Sequence, residues 1–299
     1  MLRPQGPTGG LVLEGRARDL RTAADGTATV LAEATTSLEV AYLDGRRTTA
    51  VRSTPGHLAL GSLIGVPAAG GFRKRLDELM PDERDARSLL HLLLDDVPGT
   101  ALVSGYAVGA AGVTGLPRRT GHVFAADQCA GFRSGGTIMV DVVARGEPPV
   151  VTGPAAPSLS APEDPLAWHP LPAVPSHGMR RVRRLDVVPG EGTLTVESFF
   201  RDSHVDPDGV ETVIHEYELH ARVETGTWTV VEAKATPRVL PWLECPTAAA
   251  SAQRLAGRRV SDTRREVRRD FRGTATCTHL NDQMRMLADV EVMAGLIAG

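Results

Sequence analysis

Two periodicities divide this chain. Residues 11–20 and 27–53 are rich in alternating and β-branched positions, as in Thr27-Ala28-Thr29-Val30-Leu31 and Leu38-Glu39-Val40-Ala41-Tyr42-Leu43. That pattern predicts strands, with Asp25-Gly26 and Asp44-Gly45 supplying the turns. From Leu58 the spacing lengthens. Phe72, Leu76 and Leu79 fall at helical intervals, and so do Leu89, Leu90, Leu93 and Leu94. The second half repeats the order. Strands are predicted over 193–200, 212–223 and 228–235, with turns at Asp208-Gly209 and Thr225-Gly226. Helices follow over 246–255 and 262–271 and from His279 onward. Strands grouped ahead of helices predict an α+β fold with antiparallel sheets of about three strands, and not a βαβ fold.

The segment between these halves reads differently. It holds Gly131-Phe132-Arg133-Ser134-Gly135-Gly136 and a proline-rich run from Pro148 to Pro175. Proline removes donors and blocks helix, so most of it is expected to be extended. Ile138-Met139-Val140-Asp141-Val142-Val143 is expected to add one strand. Phe132 and Trp168 suggest that the segment packs as a lid or pocket wall. Residues 1–10 are Gly/Pro-rich and are expected to be loosely held.

The two halves also share spelling. Leu13-Glu14-Gly15-Arg16-Ala17-Arg18-Asp19 matches Val196-Glu197-Ser198-Phe199-Phe200-Arg201-Asp202, and Asp25-Gly26 matches Asp208-Gly209. The offset is constant at 183 residues (197 − 14, 202 − 19, 209 − 26). His91-Leu92 then faces His279-Leu280. An internal repeat of this kind predicts two tandem related domains. The expected division is 11–114, a degenerate copy; 115–178, a linker or lid; and 179–299, the copy that carries the site. The cysteines are what the first copy lacks: Leu89 stands opposite Cys277.

Composition narrows the function classes. A chain of 299 residues has room for two cores. A net charge of −3 argues against nucleic acid as a main partner. No apolar run approaches the roughly 20 residues that span a bilayer. The first residues, Met1-Leu2-Arg3-Pro4-Gln5-Gly6, do not resemble a secretory signal, so cytoplasmic residence is the expectation. Three cysteines, Cys129, Cys245 and Cys277, do not suggest a disulfide framework.

The candidate chemistry lies in the second half. Asp202, His204, Cys245, Cys277 and His279 are the candidate catalytic residues, and Asp202, Cys245, Cys277 and His279 the candidate metal ligands. Asp202-Ser203-His204 is expected in a turn at the end of a strand. Cys245-Pro246 opens a predicted helix, where the dipole would favour thiolate. Cys277-Thr278-His279 opens another, with Thr276 or Thr278 as its cap. Thiolate, imidazole and carboxylate together suit zinc or iron. His215 and His220 lie in an alternating strand and read as surface or cross-strand partners. Cys129, in Asp127-Gln128-Cys129-Ala130-Gly131, would enter the pocket from the linker. Arg180-Arg181-Val182-Arg183-Arg184 reads as a solvated strand edge.

The stretch from about 179 to 290 resembles the bacterial family called domain of unknown function 2889. The residues that carry this are Met179-Arg180-Arg181, Arg201-Asp202, His215-Glu216-Tyr217, Cys245-Pro246 preceded by Pro241, Leu255-Ala256-Gly257 and Cys277-Thr278-His279-Leu280. Thr276 stands where the family usually has glycine. The order of elements is also similar to the NifU/IscU-type iron–sulfur scaffold fold. That resemblance implies Asp202, Cys245, Cys277 and His279 as a ligand set. This chain departs from the scaffold pattern at Asp202-Ser203-His204, where the family has a cysteine.

The expected function is a zinc- or iron-dependent enzyme of hydrolase or lyase type acting on a small molecule. Asp202 or His204 would be the general base. An iron–sulfur scaffold-like protein and a metal-free Cys/His enzyme are the alternatives. Neither nucleic acid nor membrane is expected as a partner, and a homodimer is left open.

Overall fold

The computed structural model describes residues 1–113, 126–160 and 162–298. The expected boundary at 114–115 lies outside them. Among the described residues, contacts divide the chain into two units. One takes 1–113, 157–160, 162–180 and 204–210, and the other takes 126–156, 181–203 and 211–298. The fold is α+β, and each of the two sheets is followed by helices.

In the first unit, β1 (Leu11–Thr22), β2 (Ala28–Ala41) and β3 (Arg47–Thr54) form an antiparallel meander. Gly26 and Gly45 take positive φ in the connecting turns, which L side chains resist. The helices are α1 (Phe72–Leu79), α2 (Pro81–Ala86), α3 (Leu89–Val103) and α4 (Gly105–Ala110). Leu11, Leu13, Leu38 and Val40 pack in one core with Phe72, Leu76, Leu90 and Leu94. Each large side chain buried there contributes roughly 1.5–3 kcal/mol. Residues 1–10 are better held than expected. Leu2 and Val12 exchange backbone hydrogen bonds of 2.8 and 2.9 Å, and Arg3 lies over the Tyr42 ring.

The second half contains α5 (Thr137–Arg145) and then a four-stranded sheet in the order β4-β5-β6-β7. Its strands are β4 (Met179–Pro189), β5 (Thr193–Val205), β6 (Glu211–Glu224) and β7 (Thr229–Val239). The strand β4 is the addition to the expected three, and it carries Arg180–Arg184 on the sheet edge. A 3-10 helix (Cys245–Leu255), α6 (Thr263–Asp270), α7 (Thr278–Arg285) and α8 (Val290–Ala298) follow. The strand expected over 138–143 is instead the helix α5. Ile138, Met139 and Val142 share its buried face and pack with Phe132 and Trp242. Helical spacing outweighed the β-branched composition there.

The odd-numbered face of β6 is the core face. Tyr217, Leu219, Ala221 and Val223 are fully buried against Ala248, Ala252, Leu255, Phe271, Leu280 and Met284. The even-numbered face of β5, with Leu194, Val196 and Phe200, is likewise buried. These two parities decide which polar side chains point inward.

Candidate functional site

Asp202 sits inside β5, in phase with Val196 and Phe200, and its side chain has no exposure. It was expected in a turn. The strand runs on to Val205, and Asp206 shapes the turn instead, accepting from the Asp208 and Val210 amides at 2.9 Å each. A bare carboxylate at such depth would be costly. Arg181 on β4 offsets that cost. Its Nε and Nη2 donate to the two carboxylate oxygens at 2.7 and 2.8 Å. This fork-to-fork geometry is the strongest form of ion pair. Arg181 also lies 3.7 Å from Asp282 of α7 and 4.9 Å above the Phe200 ring.

Two imidazoles complete the cluster. His215 Nδ1 is 3.9 Å and His279 Nε2 is 3.8 Å from Asp202 Oδ2. The two rings stack, with centroids 3.7 Å apart and planes 21° apart. Asp202, His215 and His279 each offer a ligand atom, all within 4.8 Å of one another. They are the one such group of three His, Cys, Asp or Glu side chains among the described residues. His215 Nδ1 is buried without a hydrogen bond. Burial, then the neighbouring His279, holds the His215 imidazole well below the usual histidine range, so it is neutral. A neutral imidazole with an unpaired nitrogen is the form that binds a metal.

His215 is the residue that sequence reasoning misplaced. The alternating pattern puts it with His220 as a surface or cross-strand partner. The parity of β6 separates them: His215 shares a face with Tyr217 and Leu219, whereas His220 points outward to Glu197 at 2.7 Å. Counting by twos along the strand would have found it.

The other expected residues fall elsewhere. His204 is two residues beyond Asp202, but its ring meets the edge of Tyr106 at 5.1 Å and lies 6.4 Å from His177. It is not in the Asp202 group. Burial lowers its pKa. Cys245 does open a helical segment, but the expected thiolate does not follow. Burial, then the neighbouring Cys277 and Cys129, pushes the thiol up to about 12. A methyl group at Gly131 would stand 2.9 Å from its sulfur, so glycine permits the close approach. Cys277 is itself the N-cap of α7, without a side-chain cap bond, and Thr276 donates to Gly273 O instead. Burial raises the Cys277 thiol to about 11. Its sulfur lies 3.8 Å from His279 Nδ1. Cys129, Cys245 and Cys277 all bear electrostatically on the buried Tyr217 hydroxyl, beside the Asp202 group and outside it.

The structure therefore brings Asp202 and His279 together and adds His215 and Arg181. Cys277 stands behind His279, and Cys245 lies outside the cluster. No helix among the described residues is long and apolar enough to cross a membrane. No curated protein and no solved structure matches the chain. Residues 179–293, which include every member of this cluster, match the family described as Protein of unknown function (DUF2889).

Proposed function

We propose that the Asp202–His215–His279 cluster holds one zinc or ferrous ion and that the protein is a metal-dependent enzyme acting on a small molecule. The observation that carries this is the convergence of three ligand atoms within 4.8 Å, one of them a buried imidazole nitrogen without a partner. Donors on one tetrahedral zinc stand about 3.4 Å apart, given bonds of roughly 2.0–2.2 Å. The carboxylate-to-imidazole spacings of 3.8 and 3.9 Å are only slightly wider. The rings must open from their stack, because in-plane lone pairs of nearly parallel rings do not meet at one point. Asp202 keeps lone pairs for an ion while Arg181 holds both oxygens.

Two histidines and a carboxylate leave further positions for water or substrate, as in hydrolytic zinc sites and in iron enzymes. Such an ion would supply Lewis acidity or an activated water, which fits hydrolase or lyase chemistry. The residues of this chain hold and orient the donors and exclude bulk water. Carrying the ligands on β5, β6 and α7 keeps them precise. The scaffold and thiol-enzyme readings draw less support, since both Cys245 and Cys277 are buried, neutral thiols. The reading also places the functional half at the C-terminal end and treats the N-terminal half as a degenerate copy. The near-constant spacing between β1–β3 and β5–β7 supports that part.

The test is metal analysis of purified protein after zinc or anaerobic iron loading and dialysis. About one equivalent is expected for the wild type, and a large loss in Asp202→Asn and His215→Ala. Metal content unchanged in both variants would exclude the site.

A further inference from the structure

We propose that Cys277 is a positioning residue for the metal site: its sulfur accepts the Nδ1 proton of His279 and so fixes the tautomer that presents Nε2 to the ion. This rests on the metal reading above and assigns the thiol a place outside the coordination sphere.

The geometry supplies both ends of the ring. His279 Nε2 faces Asp202 Oδ2 at 3.8 Å, and Nδ1 faces Cys277 Sγ at 3.8 Å. A neutral imidazole carries one proton. If Nε2 binds metal, that proton resides on Nδ1. Ligating histidines almost always donate this second N–H to an outer acceptor, which sets the ring orientation and raises ligand basicity. Here the atom in that place is sulfur, a weak acceptor but a large one, which suits the longer distance.

The chain makes this contact locally. Cys277 is the N-cap of α7, and His279 is the second residue of that helix. The cap therefore holds the thiol beside the ring, while the Cys277 carbonyl accepts from the Asn281 amide at 2.8 Å. The thiol also bears electrostatically on the buried Tyr217 hydroxyl. Tyr217 and His215 share the inward face of β6, so one strand contributes both a ligand and a buried neighbour of the thiol. A sulfur in this place also keeps water from Nδ1, which would otherwise compete for the proton.

The experiment is cobalt(II) titration of the full chain, read by visible and near-ultraviolet absorption, for wild type, C277S and C277A. Wild type is expected to give cobalt d–d bands without a thiolate-to-cobalt charge-transfer band. C277A is expected to bind about 10- to 100-fold more weakly. C277S, whose hydroxyl accepts the same proton, is expected to recover most of that loss. A charge-transfer band in wild type would make Cys277 a ligand and overturn the proposal without any variant. Equal affinity of C277A and wild type would overturn it as well. Wild type that takes up no cobalt and no zinc would instead remove the metal reading itself. Circular dichroism of each variant separates weaker binding from loss of fold.

Discussion

A histidine opens a helix in each half of this protein, and the two are used differently. His91, in the first turn of α3, is completely buried and bonds Asp77 at 3.0 Å, with Asp77 supplied by α1. His279, in the first turn of α7, faces a strand carboxylate, stacks on a second imidazole and touches a thiol. The strands account for the difference. Asp19 in β1 pairs across the sheet with Ala32 in β2. At the same spacing of 183 residues (202 − 19, 215 − 32), Asp202 and His215 occupy β5 and β6. His215 stands in β6 where β2 has Ala32 at that spacing, and the Asp202 cluster further has Arg181 and Cys277 beside it. The second cluster also holds a buried imidazole nitrogen, His215 Nδ1, without a hydrogen bond.

The comparison can be broken most forcefully at Asp202. Asp202→Ala removes the bidentate carboxylate partner of the buried Arg181, and a loss of about 3–5 kcal/mol is expected in urea unfolding. Asp77→Ala removes the acceptor 3.0 Å from His91 Nε2 and should cost only about 1–3 kcal/mol. A reversed order would mean that the Arg181–Asp202 pair is not the buried anchor described above. Next in size is metal content. His279→Ala is expected to lose zinc, while His91→Ala keeps the wild-type amount. Equal loss in both would place the metal elsewhere.

Thiol reactivity gives a third contrast, with a defined sign. Cys245 is raised in the fold to about 12, so the unfolded thiol ionises first. Its contribution to stability is full below the ordinary thiol range and falls as pH rises toward 12. Iodoacetamide labelling of native protein at pH 8 should therefore be slow at Cys245 and become fast on denaturation. Rapid native labelling would restore the activated thiolate that a helix start suggested. The smallest effect belongs to His220. Its pair with Glu197 is exposed, 43% and 55% by side chain, so His220→Ala should change stability by no more than about 1 kcal/mol and leave metal binding intact. His215→Ala, on the inward face, should do the opposite.

The fold was readable where one periodicity dominated. The strands β1, β2 and β3, with their Asp-Gly turns, and the helices α1 and α3 follow from alternation and from leucine spacing. It was less readable where composition and period conflicted. Val140, Val142 and Val143 favour a strand by type, yet Ile138, Met139 and Val142 are spaced for a helix that rests on Trp242. The site was partly legible. Asp202 and His279 stood out as polar residues near element ends, and they do meet. The cysteines attracted attention by chemical type, and type alone does not report burial. Arg181 was read as part of a solvated edge because its partner, Asp202, is 21 residues away. Cross-strand pairing of that kind depends on register, which a linear reading does not supply.

The register of the second sheet has one further consequence. Opposite β6, the edge strand β7 carries extra residues at Val231 and Arg238, where the pairing jumps from Arg222↔Glu232 to Val223↔Val230 and from Glu216↔Val239 to Tyr217↔Pro237. Both irregularities fall on β7, so β6 keeps its alternation unbroken from His215 to Val223. Insertions and deletions can therefore accumulate on the outer strand without disturbing the donors. A single residue gained or lost in β6 between His215 and Leu219 would turn the imidazole to the opposite face of the sheet, away from Asp202. The sheet thus has a permissive margin beside an intolerant strand, and sequence drift in this protein should be spread accordingly.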